Sequence, residues 1–480
     1  MICFKFAAAP LFAAAVSFSA AKASPAQYIL DSLREMNDIP GLSSAVSING
    51  EIIWTGQTGY RDVEAALPVT ADTQFRLASV SKLFAAAAVL ALVEDGKLDP
   101  DADIRTYVPD WPAHEGATIT LRQLAAHTSG MAHYDASDNY DPQANYSNLN
   151  ESLSVYSHKP LLFEPGDQYS YSSYGYALMG AALENASGNS FEDYIAGAIL
   201  APNRLKNTTV ENIHAVPEAA SKLYALGSGE IERNNQHHVV GATGILSTPS
   251  DLVSFADAYM AGAIVSPELV EMSVTPVKLN NGENAGISRF DMGFGWRISE
   301  TSDGDLIYHH AGITPGARSI LVHNRDQNTS SALVSNVQWT TRIETTGAIL
   351  ATAATEGAQV DMAGCPVGKW SYSGKFVSDR DNPPTEENAS GTIRVKRSDD
   401  MCLVEVHPEQ ELASWLKATN AKRDYMPAVL IGSNEEDDKL FAVVTAWGAY
   451  PLQWTDVGEK QTLIGDFAGR DVRLELSASQ

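Results

Sequence analysis

The feature that most constrains the fold is an unbroken apolar run of eleven residues, from Leu83 to Val93. A run without a polar face predicts a helix that is buried on all sides, and Gly96 is placed to end it. A serine and a lysine three residues apart, Ser79 and Lys82, lie just before the run. Because lysine is almost never fully buried without a partner, Lys82 either reaches solvent or is retained for chemistry.

The composition is that of an ordinary globular chain. The sequence has 480 residues, of which 44% are apolar, so we expect two or three domains and a sizeable core. The 59 acidic residues outnumber the 33 basic ones and give a net charge of −26. Such a charge opposes binding to nucleic acid and to anionic lipid surfaces, so no nucleic-acid partner is expected.

Residues 1–23 have the features of a secretory signal peptide. Lys5 is followed by an apolar run, and the letters AKA ending at Ala23 match a small-x-small cleavage site. We expect cleavage after Ala23 and a secreted or periplasmic protein. An uncleaved membrane anchor is the alternative, which Pro10 and the shortness of the run disfavour. Elsewhere no segment has the roughly 18 consecutive apolar residues that a spanning helix needs.

The signal peptide also affects the cysteine count. Cys3 would be removed with it, which leaves Cys365 and Cys402. Two thiols in an oxidising compartment suggest one disulfide, which would brace the last quarter of the chain. Two buried free thiols are the alternative.

The chain divides into two regions of different pattern. Residues 24–355 alternate helical and strand-like segments, which favours a sheet with helices packed on it; Asn49 and Gly50 predict a hairpin turn. Seven short strand-like runs separated by turn residues then predict a small all-β barrel or sandwich over 361–480. The boundary is expected within 354–368.

The serine–lysine pair suggests nucleophilic catalysis. Residues three apart are neighbours on a helix surface, so the Ser79 hydroxyl would lie within reach of the Lys82 amine. Serine needs a base beside it, and burial would lower the pKa of Lys82 towards that role. The start of the helix also offers backbone N–H groups to an oxyanion. The alternative is that Ser79 caps the helix and Lys82 is solvated.

The pattern alone is weak, because it occurs three times. The other two pairs are Ser19 with Lys22 and Ser414 with Lys417. The pair at Ser79 is the one that opens a long apolar helix.

Five separated stretches make the interpretation more specific. They run from Gly50 to Trp111 and then read LRQLAAHTSGM, FEPGDQYSYSSYGYALMGAALENASG, GATGILSTPSDLVSFA and HHAGITPGARS. In order and spacing they resemble the serine β-lactamase-related family, which includes class C β-lactamases, D-Ala-D-Ala carboxypeptidases, D-aminopeptidases and esterases. The resemblance covers about residues 30–350. It implies an α+β fold of the β-lactamase/transpeptidase type: an antiparallel sheet flanked by helices, plus a helical subdomain. The C-terminal region resembles, more weakly, the small β-barrel domains appended to some D-aminopeptidase-like relatives.

The resemblance implies three catalytic motifs. Ser79 would be the acylated nucleophile, served by Lys82. Tyr171, in Tyr-Ser-Ser, would share protons with both, and Ser173 would hydrogen-bond near Lys82 or the substrate. The Tyr-Ser-Asn at Tyr146 is rejected because no Pro-Gly and Gly-Tyr pairs bracket it.

The third motif is His310-Ala311-Gly312, expected on an edge strand of the sheet. The His-Glu-Gly at His114 precedes the tyrosine motif and is out of order. Carried over from the family, the backbone N–H groups of Ser79 and Ile313 would form an oxyanion hole.

Several positions depart from the β-lactamases of the family. Ser173 stands where many members have asparagine, His310 where the β-lactamases have lysine, and Ala311 lacks a hydroxyl that many members use for a carboxylate. These departures put β-lactamase activity and D-Ala-D-Ala recognition in doubt. Arg289 and Arg318 are candidates for binding a carboxylate, with surface salt bridges as the alternative.

The remaining histidines are interpreted as structural. His127 would shape the turn after its helix, His309 would be a strand residue, and His237 and His238 would be solvated loop residues on opposite faces. No metal ligand set and no phosphate loop stand out, and neither a metal nor an organic cofactor is implied.

We therefore expect a secreted serine hydrolase that forms an acyl-enzyme with a small ester, amide or short-peptide substrate. A peptidase acting on D-amino-acid peptides and a carboxylesterase both stay open. A penicillin-binding or sensor protein without turnover is a third hypothesis, and a true β-lactamase is less favoured. The oligomeric state is left open.

Overall fold

A computed structural model describes most of the chain. The described residues are 24–135, 138, 146, 148–301, 304–340, 343–357, 360–378, 385–398, 400–409, 423–433, 438–457, 460–466 and 471–478. The expected signal peptide (1–23), Ser147 of the rejected tyrosine motif, and Ser414 and Lys417 lie outside them. No helix within these ranges has the length and apolarity needed to cross a membrane.

The described helices cluster in the first three quarters of the chain. They are α1 (Pro25–Asn37), α2 (Ser81–Glu94), α3 (Leu121–Ala125), α4 (Leu149–Ser152), α5 (Ser173–Ser187), α6 (Phe191–Tyr194), α7 (Pro249–Met260), α8 (Pro267–Ser273) and α9 (Glu344–Thr355).

Strands are found throughout. Those of the first region are β1 (Gly41–Ile48), β2 (Glu51–Asp62), β3 (Leu67–Pro68), β4 (Phe75–Arg76), β5 (Thr209–Val210), β6 (Leu223–Ala225), β7 (Gly229–Ile231), β8 (Ile245–Ser247), β9 (Gly286–Ile287), β10 (Phe290–Met292), β11 (Arg297–Glu300), β12 (Leu306–Thr314), β13 (Ala317–Asn324) and β14 (Thr329–Ser335). Those of the C-terminal region are β15 (Gly368–Ser378), β16 (Thr385–Ser398), β17 (Met401–Pro408), β18 (Met426–Ser433), β19 (Lys439–Thr445), β20 (Gly448–Val457), β21 (Lys460–Asp466) and β22 (Asp471–Ala478).

The buried helix predicted from the apolar run is confirmed as α2. Every residue from Ser81 to Leu90 is buried, as is Leu92, because α5 and other helices pack around it. The helix ends where the chain turns at Gly96, whose φ is +69°. Ser79 does not cap α2, since it lies in a separate 3₁₀ turn, Ala78–Val80.

A nine-stranded sheet supports the site. Its order is β3-β2-β1-β14-β13-β12-β11-β10-β9, its neighbours are antiparallel, and Asn49 and Gly50 form the predicted hairpin turn between β1 and β2. Side chains alternate between its faces: Ala332 and Val334 join the apolar cluster around α2 and α5. Leu333 joins a second cluster that includes α1, α9 and the C-terminal strands. The α+β architecture expected from the sequence is confirmed.

The C-terminal region is a closed eight-stranded barrel, β15 to β22 in sequence order. The seven predicted runs match every strand except β20, which the sequence analysis missed because Gly448 and Pro451 are unusual inside strands. Cys365 and Cys402 form a disulfide with a Cα–Cα distance of 5.7 Å, so that prediction is confirmed. The bridge ties the segment before β15 to β17.

The expectation for His237 and His238 is wrong. His237 and His238 lie in a 3₁₀ turn, His237–Val239, rather than in a solvated loop, and His238 is buried. Burial lowers the pKa of His238 to about 4, so its ring is neutral at neutral pH. No group of three or more His, Cys, Asp or Glu residues that could hold a metal ion occurs in the described ranges.

Candidate active site

Ser79 is held in a tight turn directly before α2. It is half-buried while both its neighbours are buried, so its hydroxyl can be reached from outside. Ala78 has φ +50°, a left-handed conformation that is uncommon for alanine. The Ser319 hydroxyl on β13 donates a hydrogen bond of 2.5 Å to the carbonyl of Leu77, which fixes the start of the turn against the sheet.

Gly312 lets the sheet approach this turn closely. A Cβ at Gly312 would lie 2.1 Å from the Leu77 carbonyl oxygen and 3.0 Å from the Ser79 backbone nitrogen. The former distance is far below a normal contact, so only glycine fits here without a shift. The first and third predicted motifs are therefore in direct contact.

Lys82 is fully buried. Its Nζ lies 3.3 Å from Ser79 Oγ, 3.1 Å from Ser173 Oγ and 3.0 Å from the carbonyl oxygen of Ala242. No carboxylate in the described part of the chain forms an ion pair with it. Burial, and secondarily the charge of Arg297, hold the pKa of Lys82 well below its usual value. The ammonium is thus disfavoured, and the neutral amine can accept a proton from Ser79.

Tyr171 completes the group as a neutral phenol. Its hydroxyl lies near those of Ser79 and Ser173, which act on its pKa as hydrogen-bond partners, and its ring centre lies 4.9 Å from Lys82 Nζ. Burial raises the pKa of Tyr171, although the charge of Arg297 and the two hydrogen bonds oppose this. The phenol therefore keeps its proton at neutral pH and can pass it on.

Two histidines hold the backbone of the tyrosine motif. His127 Nδ1 accepts the N–H of Ser172 at 3.2 Å, and His133 Nδ1 accepts that of Ser173 at 3.1 Å. Their rings lie 4.2 Å and 5.4 Å from the ring of Tyr171. Burial lowers the pKa of both, to about 4 for His133, so both can accept hydrogen bonds. His127 was expected to be structural; His133 was missed, because no local pattern marks it.

The third motif lies on β12, but the expected edge position is wrong. β12 is internal in the sheet, since β9, β10 and β11 extend the sheet beyond it. Its pairing with β11 ends at His309, so from His310 onwards β12 pairs only with β13. Gly312, which comes closest to the Ser79 turn, lies in this stretch. Ala311 is buried and Ile313 is partly exposed, and His309 Nε2 lies 2.8 Å from Ser299 Oγ, as suits a strand residue.

His310 is fully buried with its ring centre 6.4 Å from that of Tyr171. Its Nδ1 lies 2.9 Å from the Ala311 carbonyl oxygen, which can only accept, so Nδ1 carries the proton. Nε2 has no hydrogen-bond partner in the described residues. Burial, and secondarily the charge of Arg297, keep the pKa of His310 well below its usual value. The imidazole is therefore neutral, unlike the lysine expected in β-lactamases.

Arg297 is a cation beside Tyr171 that was not predicted from the sequence. Its guanidinium lies 5.8 Å from the ring centre of Tyr171 and 4.6 Å from that of Phe290. Its Nε is buried without a hydrogen-bond partner, and its ion pair with Glu344 is long, at 3.8 Å. Arg297 reaches the site because it pairs with His309 across β11 and β12, a register that the sequence does not show.

The two arginines proposed from the sequence lie elsewhere. Arg289 is exposed. Arg318 is buried and donates from Nε to the Thr340 carbonyl at 2.6 Å and from Nη1 to the Gly312 carbonyl at 2.8 Å. Its guanidinium is thus occupied by backbone, and the expectation of a carboxylate ligand or a surface salt bridge for Arg318 is wrong.

Comparisons with known proteins agree with this arrangement. The family model "Beta-lactamase" matches residues 28–355. Penicillin-binding protein 4* of Bacillus subtilis is 30% identical over 342 residues, which cover 66% of this chain and 72% of that protein. The human mitochondrial serine beta-lactamase-like protein LACTB is 26% identical over 336 residues, and the match covers 52% of this chain and 61% of LACTB.

Solved structures extend the likeness to the whole fold. The octameric penicillin-binding protein homologue from Pyrococcus abyssi has a TM-score of 0.58 at 19% identity and covers 94% of this chain and 98% of that one. The D-amino acid amidase from Ochrobactrum anthropi SV3 complexed with D-phenylalanine has a TM-score of 0.57 at 23% identity, with coverage of 70% and 100%. At such identities the likeness concerns the fold.

Proposed function

The chain belongs to the beta-lactamase family and is a serine hydrolase, and we propose that it acts through an acyl-enzyme on Ser79. The proposed substrates are short peptides that end in a D-amino acid. One observation carries the proposal. The amine of Lys82 is buried without a carboxylate partner and lies 3.3 Å from the Ser79 hydroxyl oxygen. A neutral amine in that position is the base that a serine nucleophile requires.

The steps follow from the contacts. Ser79 Oγ attacks the substrate carbonyl carbon while Lys82 Nζ takes its proton. The backbone N–H groups of Ser79 and Ile313 stabilise the oxyanion of the tetrahedral intermediate. Tyr171 gives its proton to the leaving amine and is reprotonated from Lys82, and the C–N bond breaks. Water then attacks the acyl-Ser79 ester and gives a proton to Lys82. The bond from the acyl carbon to Ser79 Oγ breaks, Oγ regains a proton, and the acid leaves.

Arg297 supports a leaving group that carries a carboxylate. Its guanidinium lies beside Tyr171, the proposed proton donor to that group, and has a buried Nε free to donate. A carboxylate is the acceptor that best matches the planar set of N–H donors of a guanidinium. The D configuration is taken from the D-amino acid amidase named above, a protein that shares this fold.

Neutral esters are the second candidate substrates. His310 is uncharged and Ala311 has no hydroxyl, so the third motif itself provides neither an ammonium nor a hydroxyl for an anion. These features favour ester hydrolysis and also argue against efficient β-lactam hydrolysis.

The nucleophile is tested by intact mass after brief exposure to a p-nitrophenyl acyl ester or a penicillin. We expect an adduct in the parent protein and none in Ser79→Ala. An adduct that persists without turnover would support the penicillin-binding or sensor alternative. A folded protein without any adduct would overturn the assignment of Ser79.

The leaving group is tested with acetyl-D-alanyl-D-alanine and its C-terminal carboxamide. Arg297→Gln should lower kcat/KM for the free acid by about tenfold to a hundredfold, the loss of one charged hydrogen bond, and leave the carboxamide unaffected. Equal losses for both would contradict the carboxylate role. The proposed secretion is tested by sequencing the N-terminus of the exported protein, which should begin at Ser24.

A further inference from the structure

A turn of the C-terminal barrel is connected to the third motif by consecutive hydrogen bonds. The turn joins β19 to β20, and the carbonyl of Trp447 within it accepts the Thr340 hydroxyl at 2.7 Å. The Thr340 carbonyl accepts Arg318 Nε at 2.6 Å, and Arg318 Nη1 donates to the Gly312 carbonyl at 2.8 Å. Three bonds thus lead from the barrel to the strand beside Ser79.

The last of these bonds acts on a rigid unit. The carbonyl of Gly312 and the N–H of Ile313 belong to one planar peptide group. Fixing the carbonyl therefore fixes the direction of the Ile313 N–H, which points the opposite way, to the side of β12 that lies away from Arg318. A charged donor on the carbonyl also polarises the amide and makes its N–H a better donor.

Both ends of the connection are well held. Arg318 is buried, and its guanidinium donates to the backbone carbonyls of Thr340, Gly312 and, at 3.5 Å, Ser319, which hold it in place. The barrel turn is braced internally: the Trp447 N–H donates to Thr445 Oγ1 at 3.1 Å, Thr445 Oγ1 donates to the Gly448 carbonyl, and the Tyr450 hydroxyl donates to the Trp447 carbonyl, each at 3.2 Å.

We propose that Arg318 is a positioning residue that orients the Ile313 N–H of the oxyanion hole, and that the barrel holds Arg318 in place through Thr340. The barrel is then part of the catalytic apparatus without touching the substrate. The inference rests on the proposed function, because it takes Ser79 as the nucleophile and Ile313 as an oxyanion donor.

The experiment compares two variants that weaken contacts to the same barrel turn. Thr340→Val removes the donor to Trp447 and keeps the size of the side chain. Asn37→Ala is the control, since Asn37 Nδ2 donates to the Thr445 carbonyl at 3.4 Å but is not bonded to Arg318. Each is measured in the full mature chain by the burst of p-nitrophenol from p-nitrophenyl acetate, which reports the rate constant of acylation.

Thr340→Val should lower the acylation rate constant about threefold to tenfold and leave the dissociation constant of the ester, read from the concentration dependence of the burst rate, within twofold of the parent's. A boronic acid, which forms a tetrahedral adduct on the serine, should bind more weakly by the same factor. Asn37→Ala should change neither. Arg318→Lys keeps the charge but cannot donate to the Thr340 and Gly312 carbonyls at once. Its acylation rate constant should fall further than that of Thr340→Val, approaching the hundredfold loss seen when an oxyanion-hole donor is removed.

Equal behaviour of Thr340→Val and Asn37→Ala in both measurements would overturn the inference. So would a loss of acylation in Thr340→Val without a matching loss of boronate affinity, because only an effect on the oxyanion moves the two together. Ser79→Ala separates the two proposals: if it still acylates, the proposed function itself fails, whatever Thr340→Val does.

Discussion

The surroundings of Ser79 and the interior of the barrel are built in opposite ways. Near Ser79 the fold buries Lys82, His127, His310 and Arg318 almost completely. In the described part of the barrel no charged side chain and no histidine is buried; its buried polar groups include Thr445, Thr462 and the hydroxyl oxygens of Tyr372 and Ser390. Burying a polar group costs free energy unless the group is paired. The surroundings of Ser79 are therefore less stable than an apolar interior of the same size would be, whereas the mainly apolar barrel has less of this cost and is further stabilised by a disulfide.

The largest expected effect comes from replacing Lys82, the buried amine on which the contrast between the two regions depends. Lys82→Met should lower kcat/KM about 10²-fold to 10⁴-fold, the usual contribution of a general base. Its thermal midpoint should move by only a few degrees, because the buried amine no longer has to be desolvated while the Ala242 carbonyl loses its donor; these effects oppose each other. Steady-state kinetics and calorimetry on one sample check both. A collapse of the midpoint with activity retained at low temperature would contradict the contrast.

Gly312→Ala should have the next largest effect. The added methyl group would meet the Leu77 carbonyl oxygen at 2.1 Å, so β12 and the Ser79 turn must separate. A displacement of about 1 Å lowers catalysis about 10²-fold, and kcat should fall accordingly. Gly197→Ala is the matched control, since nothing lies within 4 Å of a Cβ at that position. Its kcat should equal that of the parent protein.

Removing the disulfide should affect stability in the barrel and spare the chemistry. Replacing Cys365 and Cys402 together by serine should lower the free energy of unfolding by about 2–4 kcal/mol. Hydrogen exchange should then rise in β15 to β17, while the acylation rate constant at 10 °C stays that of the parent. Faster exchange around α2 before the barrel would show that the two regions do not differ as described.

The smallest expected effect concerns pH. Burial lowers the pKa of His309 and His323 to about 4, against 6.5 in the unfolded chain. Between these values the unfolded chain binds more protons, so stability falls as the pH drops from 6.5 towards 4 and is constant above 6.5. Buried Asp257, whose pKa is raised, acts in the opposite direction. His323→Gln should therefore flatten the pH dependence of urea unfolding; an unchanged slope would exclude His323 as a cause.

The sequence predicted the site where the chemistry is local and missed what only the fold brings together. Ser79 and Lys82 share one turn of chain, and their motif carries a chemical signature. Arg297 reaches the site through the register of β11 on β12, and Ala242 contributes a carbonyl, which every residue has. These two contacts depend on long-range pairing that no local pattern encodes.

The same distinction holds for the rest of the fold. The apolar run of α2 and most barrel strands follow from residue periodicity. Closure of the barrel depends on β15 pairing with β22, about a hundred residues later, and β20 was hidden by Pro451. The expected edge position of β12 failed for this reason too, since β9 to β11 are short strands with little periodicity.

The placement of α1 has a consequence for how the molecule assembles. This helix packs against β2 of the sheet and against β18 and β19 of the barrel, and Asn37 bonds to Thr445 across 408 positions of sequence. Its buried side chains, among them Ile29 and Leu33, stay without their barrel partners until those strands exist. Bringing such distant segments together is slow. Helix α1, although first in the described sequence, is therefore among the last elements to pack in place. Neither region can complete its interior while the other is missing.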